Sequence, residues 1–163
     1  MLKIKCFYPD YAGKVLKLIN KNKMILIFII NSVLVGLAVL IHFEALNYLS
    51  FISPRLHIQR RLRVLFALFG ALAAHVVEIW MFAFAYYFLI KPGYFGDLLG
   101  HFDKSLMDCS YFSFTTYTSL GFGDVHPVGE LRFLAGLEAL TGLVLIAWTA
   151  SFMFLEMQKL WKY

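Results

Sequence analysis

The sequence predicts an all-α integral membrane protein, and two observations carry this prediction. Apolar residues make up 61% of the 163 residues and charged residues 15%, whereas soluble domains are about half apolar and about a quarter charged. The apolar residues form three long runs, at 24–43, 64–90 and 133–155. A helix of about 20 apolar residues can cross the hydrocarbon core of a bilayer. We therefore expect a multi-pass protein, with one domain because the chain is too short for two.

Basic residues lie at the ends of these apolar runs. Residues 1–23 form a basic tail, residues 24–43 the first transmembrane helix, and residues 44–63 a basic connection. Lysine and arginine at such positions meet lipid headgroups, so the net charge of +5 predicts membrane lipid, and no nucleic acid, as a partner. Cys6 and Cys109 have no Cys-x-x-Cys neighbour, which leaves cysteine-based metal and redox sites without support.

A short run between the second and third apolar segments has an unusual composition. Gly121 and Gly123 flank Phe122, hydroxyl residues precede them, and Asp124 closes the run. Glycine adopts backbone angles that are closed to other residues. A chain that alternates such angles can turn successive carbonyl oxygens to one side, where they replace the water shell of a bare cation.

The run Thr118-Ser119-Leu120-Gly121-Phe122-Gly123-Asp124, with Pro127 shortly after, resembles the pore loop of potassium channels. That family has a Thr-Val-Gly-Tyr-Gly filter between two membrane helices. The amino-acid sequences of residues 75–80 and 138–142 are also similar to those of small bacterial channels with a two-helix pore. The resemblance implies potassium-selective passive conduction, with ions held by the carbonyls of Ser119, Leu120, Gly121 and Phe122 and by the Ser119 hydroxyl. It implies no enzyme activity, and no cofactor besides potassium as the permeant ligand.

The resemblance implies that residues 64–163 form a pore domain, which follows one extra N-terminal helix. Its expected parts are the outer helix 64–90, the pore helix 105–117, the filter 118–124 and the inner helix 131–155. Either Asp103 or Ser105 can cap the start of the pore helix. One chain supplies one filter, whereas a closed ring of carbonyls needs four. We therefore expect a homotetramer.

The filter departs from the family pattern at three positions. Ser119 stands where the family has threonine, Leu120 where it has valine and Phe122 where it has tyrosine. Serine keeps a hydroxyl, but phenylalanine lacks the phenol that could brace the filter. A weakly selective cation channel is therefore the alternative function. A non-conducting membrane sensor or subunit is another.

Ionisable residues inside apolar runs are candidates for functional sites. His75 and Glu78 are three residues apart and share a helix face, so they can pair. They form either a proton or metal site or an internal hydrogen bond that locks helices together. The second interpretation is favoured, because no third ligand has helical spacing to the pair. His42 lies at the far end of the first run.

Three further residues each have two interpretations. Glu138 either braces the pore helix through the hydroxyl of Thr115 or Thr116, or adds negative charge near the cavity. Gly142 either bends the inner helix during gating or permits close helix packing. At the outer mouth, Asp124 either hydrogen-bonds behind the filter or raises the local cation concentration.

The orientation of the chain contains one conflict. A pore loop of this family enters from the outer face, which places the arginines of the 44–63 connection in the cytoplasm, as the positive-inside rule prefers. A first run that spans then leaves the lysine-rich tail outside, against the same rule. Either that run is re-entrant or interfacial, or the arginines dominate. We favour three spans with the N-terminus outside, in a bacterial inner membrane.

Overall fold

The computed structural model describes residues 9–56, 59–93 and 95–161 of the chain. Its helices are α1 (Pro9–Ile52), α2 (Arg60–Ile90), α3 (Leu106–Tyr117) and α4 (Leu131–Trp161), with a 3₁₀ turn at Ser53–Arg55 and two strands, β1 (Gly96–Gly100) and β2 (Val125–Gly129). Among the described residues, three segments are long and apolar enough to cross a membrane: Lys21–Arg55, Arg61–Ile90 and Leu131–Lys159. The protein is therefore a helical integral membrane protein, as the sequence predicts.

The first helix is longer than the expected span. Residues 24–43 lie inside α1, which runs without a break from Pro9 to Ile52. This continuity favours a spanning helix over a re-entrant one. The connection between α1 and α2 is accordingly shorter than residues 44–63, because helix continues to Ile52 and resumes at Arg60. Residues 1–8 of the basic tail, including Cys6, lie outside the described residues.

Helix α1 runs antiparallel to α2. Leu49 of α1 contacts the backbone at Gly70, and His42, earlier in α1, meets Glu78, later in α2. Apolar side chains of α1 continue this contact beyond residue 43, since Leu46 and Leu49 are buried against Ala71 of α2. That burial explains why the helix extends into the expected connection. Helix α1 ends before Pro54, because a proline has no backbone N–H to continue the helical hydrogen bonds.

The short helix α3 packs against both α2 and α4. The core that they share contains Phe82 and Tyr86 of α2, Phe112 and Tyr117 of α3, and Leu134 of α4. Helix α3 has only 12 residues, too few to cross the bilayer. The pore-domain order of long helix, short helix, non-helical run and long helix is thus the one that the sequence predicts.

A two-stranded antiparallel sheet brackets the short helix. Strand β1 precedes α3 and β2 follows residue 124, with the register running from Gly96↔Gly129 to Gly100↔Val125. The backbone N–H of His101 also donates to the carbonyl of Asp124, at 3.1 Å. Neither strand is predicted from the sequence pattern. The sheet holds the two ends of the segment from α3 to residue 124 close together.

Candidate functional site

Helix α3 is positioned at both ends by hydrogen bonds. At its start the Ser105 side chain accepts from the backbone N–H of Asp108 at 3.0 Å, so Ser105 is the capping residue of the two that were considered. At its end the N–H groups of Ser119 and Gly121 donate back to the carbonyls of Thr116 and Thr115. A trans peptide directs its C=O opposite to its N–H, so the carbonyls of Thr118 and Leu120 point away from α3.

The backbone of residues 119–123 alternates in handedness. Ser119, Gly121 and Gly123 have φ of 58°, 53° and 82°, whereas Leu120 and Phe122 between them keep negative φ. Among the described non-glycine residues, only Lys104 and Ser119 have a positive φ. Such alternation turns successive peptide planes in a repeating manner, so carbonyls can be presented along one side of the chain. A row of this kind can coordinate a dehydrated cation.

Aromatic side chains support the outer end of this run. The Tyr111 hydroxyl of α3 donates to Asp124 Oδ2 at 2.9 Å, and the Tyr111 ring stacks on Phe122 with 6.4 Å between centroids and an interplanar angle of 10°. The hydrogen bond to Asp124 raises the pKa of the Tyr111 phenol, so the hydroxyl keeps its proton and remains a donor. Of the two interpretations of Asp124, this geometry favours the hydrogen-bonding one, since the bond holds the end of the 118–124 run.

Glu138 of α4 is completely buried and faces α2 and α3. Its carboxylate accepts from the Tyr86 hydroxyl at 2.6 Å and from the hydroxyl of Ser113. It therefore braces α3, but the expected partners Thr115 and Thr116 are wrong. The Thr115 hydroxyl instead donates to the Phe112 carbonyl of its own helix.

Gly142 lies where the inner helix crosses the end of α3. A Cβ at this position would overlap the backbone carbonyl oxygen of Tyr117. Helix α4 continues unbroken through Gly142. This geometry favours the packing interpretation of Gly142 over a bending point.

A second buried cluster joins all four helices. Glu78 lies between two imidazoles, with Oε1 2.9 Å from His42 Nδ1 and Oε2 3.3 Å from His75 Nδ1. The Tyr117 hydroxyl donates to Glu78 Oε2 and also lies 2.9 Å from His75 Nδ1. On the other side of the rings, Thr149 Oγ1 of α4 lies 3.0 Å from His75 Nε2 and 3.2 Å from His42 Nε2. The expected pairing of His75 with Glu78 is present, but it is part of a larger group.

Sequence reasoning missed several members of these two clusters. One available signal was the spacing on α3, where Ser113 and Tyr117 are four residues apart and share a face. Each contacts a buried glutamate, Glu138 and Glu78 respectively. His42 and Thr149 lie 36 and 74 residues from their partners Glu78 and His75, and no local pattern joins them.

Comparison with known proteins identifies the family. A family model described as Ion channel matches residues 74–159, which is just over half of the chain and includes α3, the 118–124 run and almost all of α4. No curated protein and no solved structure matches the chain significantly. The match confirms the resemblance seen in the sequence and agrees with the order of helices around the 118–124 run. The chain therefore belongs to this ion channel family.

Proposed function

We propose that this protein is a homotetrameric, potassium-selective channel that conducts ions passively. The observation that carries the proposal is the alternating handedness of Ser119, Gly121 and Gly123, at the end of a short helix that two membrane helices hold in place. Helix α3 ends at this run, and a helix C-terminus carries partial negative charge. That charge favours a cation beside the run.

The proposed ion sites are formed by the backbone from Thr118 to Gly123. The carbonyls of Ser119, Leu120, Gly121 and Phe122, with the Ser119 hydroxyl, would replace the water around each potassium ion. Conduction of this kind uses no cofactor, because the ion is both substrate and ligand. Asp124 would keep the outer end in position through its bond from Tyr111.

The exposure of the filter supports assembly with other copies. Leu120 and Phe122 are 63% and 67% exposed in the single chain. They belong to the run 118–124, which is not helical. Non-helical backbone cannot face lipid, so inside a membrane it must be surrounded by protein or line a water-filled path. Four copies around a common axis meet both conditions.

The test is the assembly and selectivity of the purified protein. We expect a mass of four chains in mild detergent. In reconstituted membranes with unequal potassium and sodium, the reversal potential should follow the potassium gradient. A stable monomer contradicts the pore. A tetramer whose reversal potential does not depend on whether the cation is potassium or sodium supports the weakly selective alternative.

Ser119 provides a sharper prediction, because its φ of 58° is unfavourable for a β-branched residue. Ser119→Thr restores the residue of the family pattern, yet we expect it to destabilise the filter, because β-branching adds to the strain that Ser119 already carries. Ser119→Gly should keep assembly and lose only the hydroxyl. Thermal dissociation of the tetramer and the reversal potential measure both effects. A Ser119→Thr tetramer more stable than the wild type would show that residue 119 does not hold this angle in the assembly.

The proposed orientation places the sheet outside and the α1–α2 connection inside. Single cysteines at Gln59 and His101, both exposed positions, test it in a Cys6→Ser background, where Cys109 is buried. An impermeant thiol reagent added to intact cells should label residue 101 and not residue 59. The opposite labelling overturns the orientation. The assignment to a bacterial inner membrane relies on the resemblance to small bacterial channels.

A further inference from the structure

The cluster around Glu78 has no part in the proposed filter, although it lies directly behind it. His42 and Glu78 are fully buried and His75 is 8% exposed. They come from two different helices, and His42 belongs to the extra N-terminal helix α1. A buried carboxylate with two imidazoles in a membrane protein is a costly arrangement that marks a functional site by default.

The three side chains have the donor set and spacing of a metal site. His42, His75 and Glu78 each offer one ligand atom, and these atoms all lie within 4.8 Å of one another. Two histidines and one carboxylate are a common protein donor set for zinc, with a water in the fourth position. Ligands about 2.0–2.1 Å from a tetrahedral ion lie roughly 3.3 Å apart. The distance of 2.9 Å from His42 Nδ1 to Glu78 Oε1 therefore needs to open by only a few tenths of an ångström.

The hydrogen-bond partners of the two rings are compatible with such an ion. Both Nδ1 atoms face the carboxylate of Glu78, and both Nε2 atoms face the single hydroxyl of Thr149. His75 Nδ1 also lies 2.9 Å from the Tyr117 hydroxyl. The two Nδ1 atoms thus converge on the carboxylate, and the two Nε2 atoms converge on one oxygen that can accept from both.

A metal ion bound on the Nδ1 side would satisfy both nitrogens of each ring. A histidine that binds metal through Nδ1 carries its proton on Nε2 and donates it to a neighbouring acceptor. Both Nε2–H groups could then donate to the Thr149 oxygen, which has two lone pairs. The Tyr117 hydroxyl, which donates to Glu78 Oε2, would orient the carboxylate in the same way. We propose that His42, His75 and Glu78 bind one divalent transition-metal ion of the zinc class, with Thr149 and Tyr117 as supporting partners.

Such an ion would fasten α1 to the pore domain. Between helices in lipid there is no hydrophobic driving force, so packing and polar contacts must hold them together. A metal bond between His42 and the two ligands on α2 would supply that attachment. The alternative is a cluster of neutral imidazoles without a metal. In it Tyr117 donates to His75 Nδ1, and Thr149 accepts from His75 Nε2–H and donates to His42 Nε2.

The experiment uses the full-length protein in detergent, after treatment with a chelator and in the presence of added zinc or cobalt. We expect about one zinc per chain, and we expect added zinc to raise the midpoint of thermal unfolding by several degrees. Cobalt should produce the visible absorption of a four-coordinate ion, and zinc should displace it. These wild-type measurements do not depend on any variant.

Variants then assign the site. His42→Ala should abolish the cobalt spectrum and the zinc-dependent shift, whereas replacing the exposed histidines His101 and His126 with alanine should leave both unchanged. The proposal is overturned if the wild type binds no metal after the chelator is removed. It is also overturned if the zinc shift survives in His42→Ala or disappears in the double variant of His101 and His126, because the metal then binds elsewhere.

Discussion

Replacing Gly121 with alanine is expected to abolish potassium-selective conduction. Gly121 has a φ of 53°, and a residue with a Cβ pays about 1–2 kcal/mol to adopt this conformation. An added Cβ meets no atom of the same chain within 4 Å, so within one chain the cost is in the backbone angle alone. Four copies repeat this cost around one ion path. The measurement is the reversal potential, and the current per tetramer, in reconstituted membranes.

The matched control is Gly36→Ala. Gly36 lies in α1 and does not have a positive φ, and an added Cβ there also meets no atom within 4 Å. We expect this variant to conduct as the wild type does, and Gly121→Ala to assemble nearly as well as it. Unchanged potassium selectivity in Gly121→Ala would contradict the assignment of residues 118–123 as the filter.

Gly142→Ala is expected to have the second large effect, for a different reason. Its new Cβ would overlap the Tyr117 carbonyl, which is backbone and cannot rotate away, so α4 must move away from α3. Overpacking of this kind costs about 1–3 kcal/mol at each of four sites. We expect a lower temperature of tetramer dissociation and a large loss of current, because Tyr117 immediately precedes the filter.

Gly136 offers the comparison within the same helix. A Cβ at Gly136 meets no atom within 4 Å, and alanine is the better helix former by about 1 kcal/mol. Gly136→Ala should therefore leave the thermal midpoint unchanged or raise it. Equal behaviour of the Gly136 and Gly142 variants would rule out the close contact with α3. A Gly142→Ala tetramer of normal stability with altered opening would instead support the bending interpretation.

The fold was predictable from the sequence because each of its elements corresponds to one contiguous stretch of residues. Each membrane helix is an apolar run, and the 118–124 run that resembles a pore loop is one contiguous stretch, so no distant contact is needed to recognise either. The strands β1 and β2 were not predictable in the same way. They are five residues each, and β1 begins and ends with glycine. They exist because α3 brings their sequences side by side.

The clusters behind the filter were predictable only in part. His75 and Glu78 are three residues apart, so their pairing follows from helix geometry. His42 joins them because α1 packs antiparallel on α2. This is a tertiary contact that no sequence pattern near His42 indicates. For Glu138, a hydroxyl partner on α3 was predicted correctly, but the two residues named for it were wrong. Ser113 and Thr116 are three residues apart and share a face, whereas Thr115 lies on another face. Only the packing decides that the Ser113 hydroxyl reaches Glu138.

The β1–β2 sheet also has a consequence for folding. An isolated helix as short as α3 is marginal in water, and the angles at Ser119, Gly121 and Gly123 have no regular structure of their own to maintain them. The sheet pairs residues that are distant in sequence, at Gly100↔Val125 and beyond, and closes the loop that contains both. We therefore expect the strands, helix α3 and the 118–124 run to form together. The segment from Gly96 to Gly129 should open as one cooperative unit, in the sense in which local unfolding of native proteins proceeds by foldons.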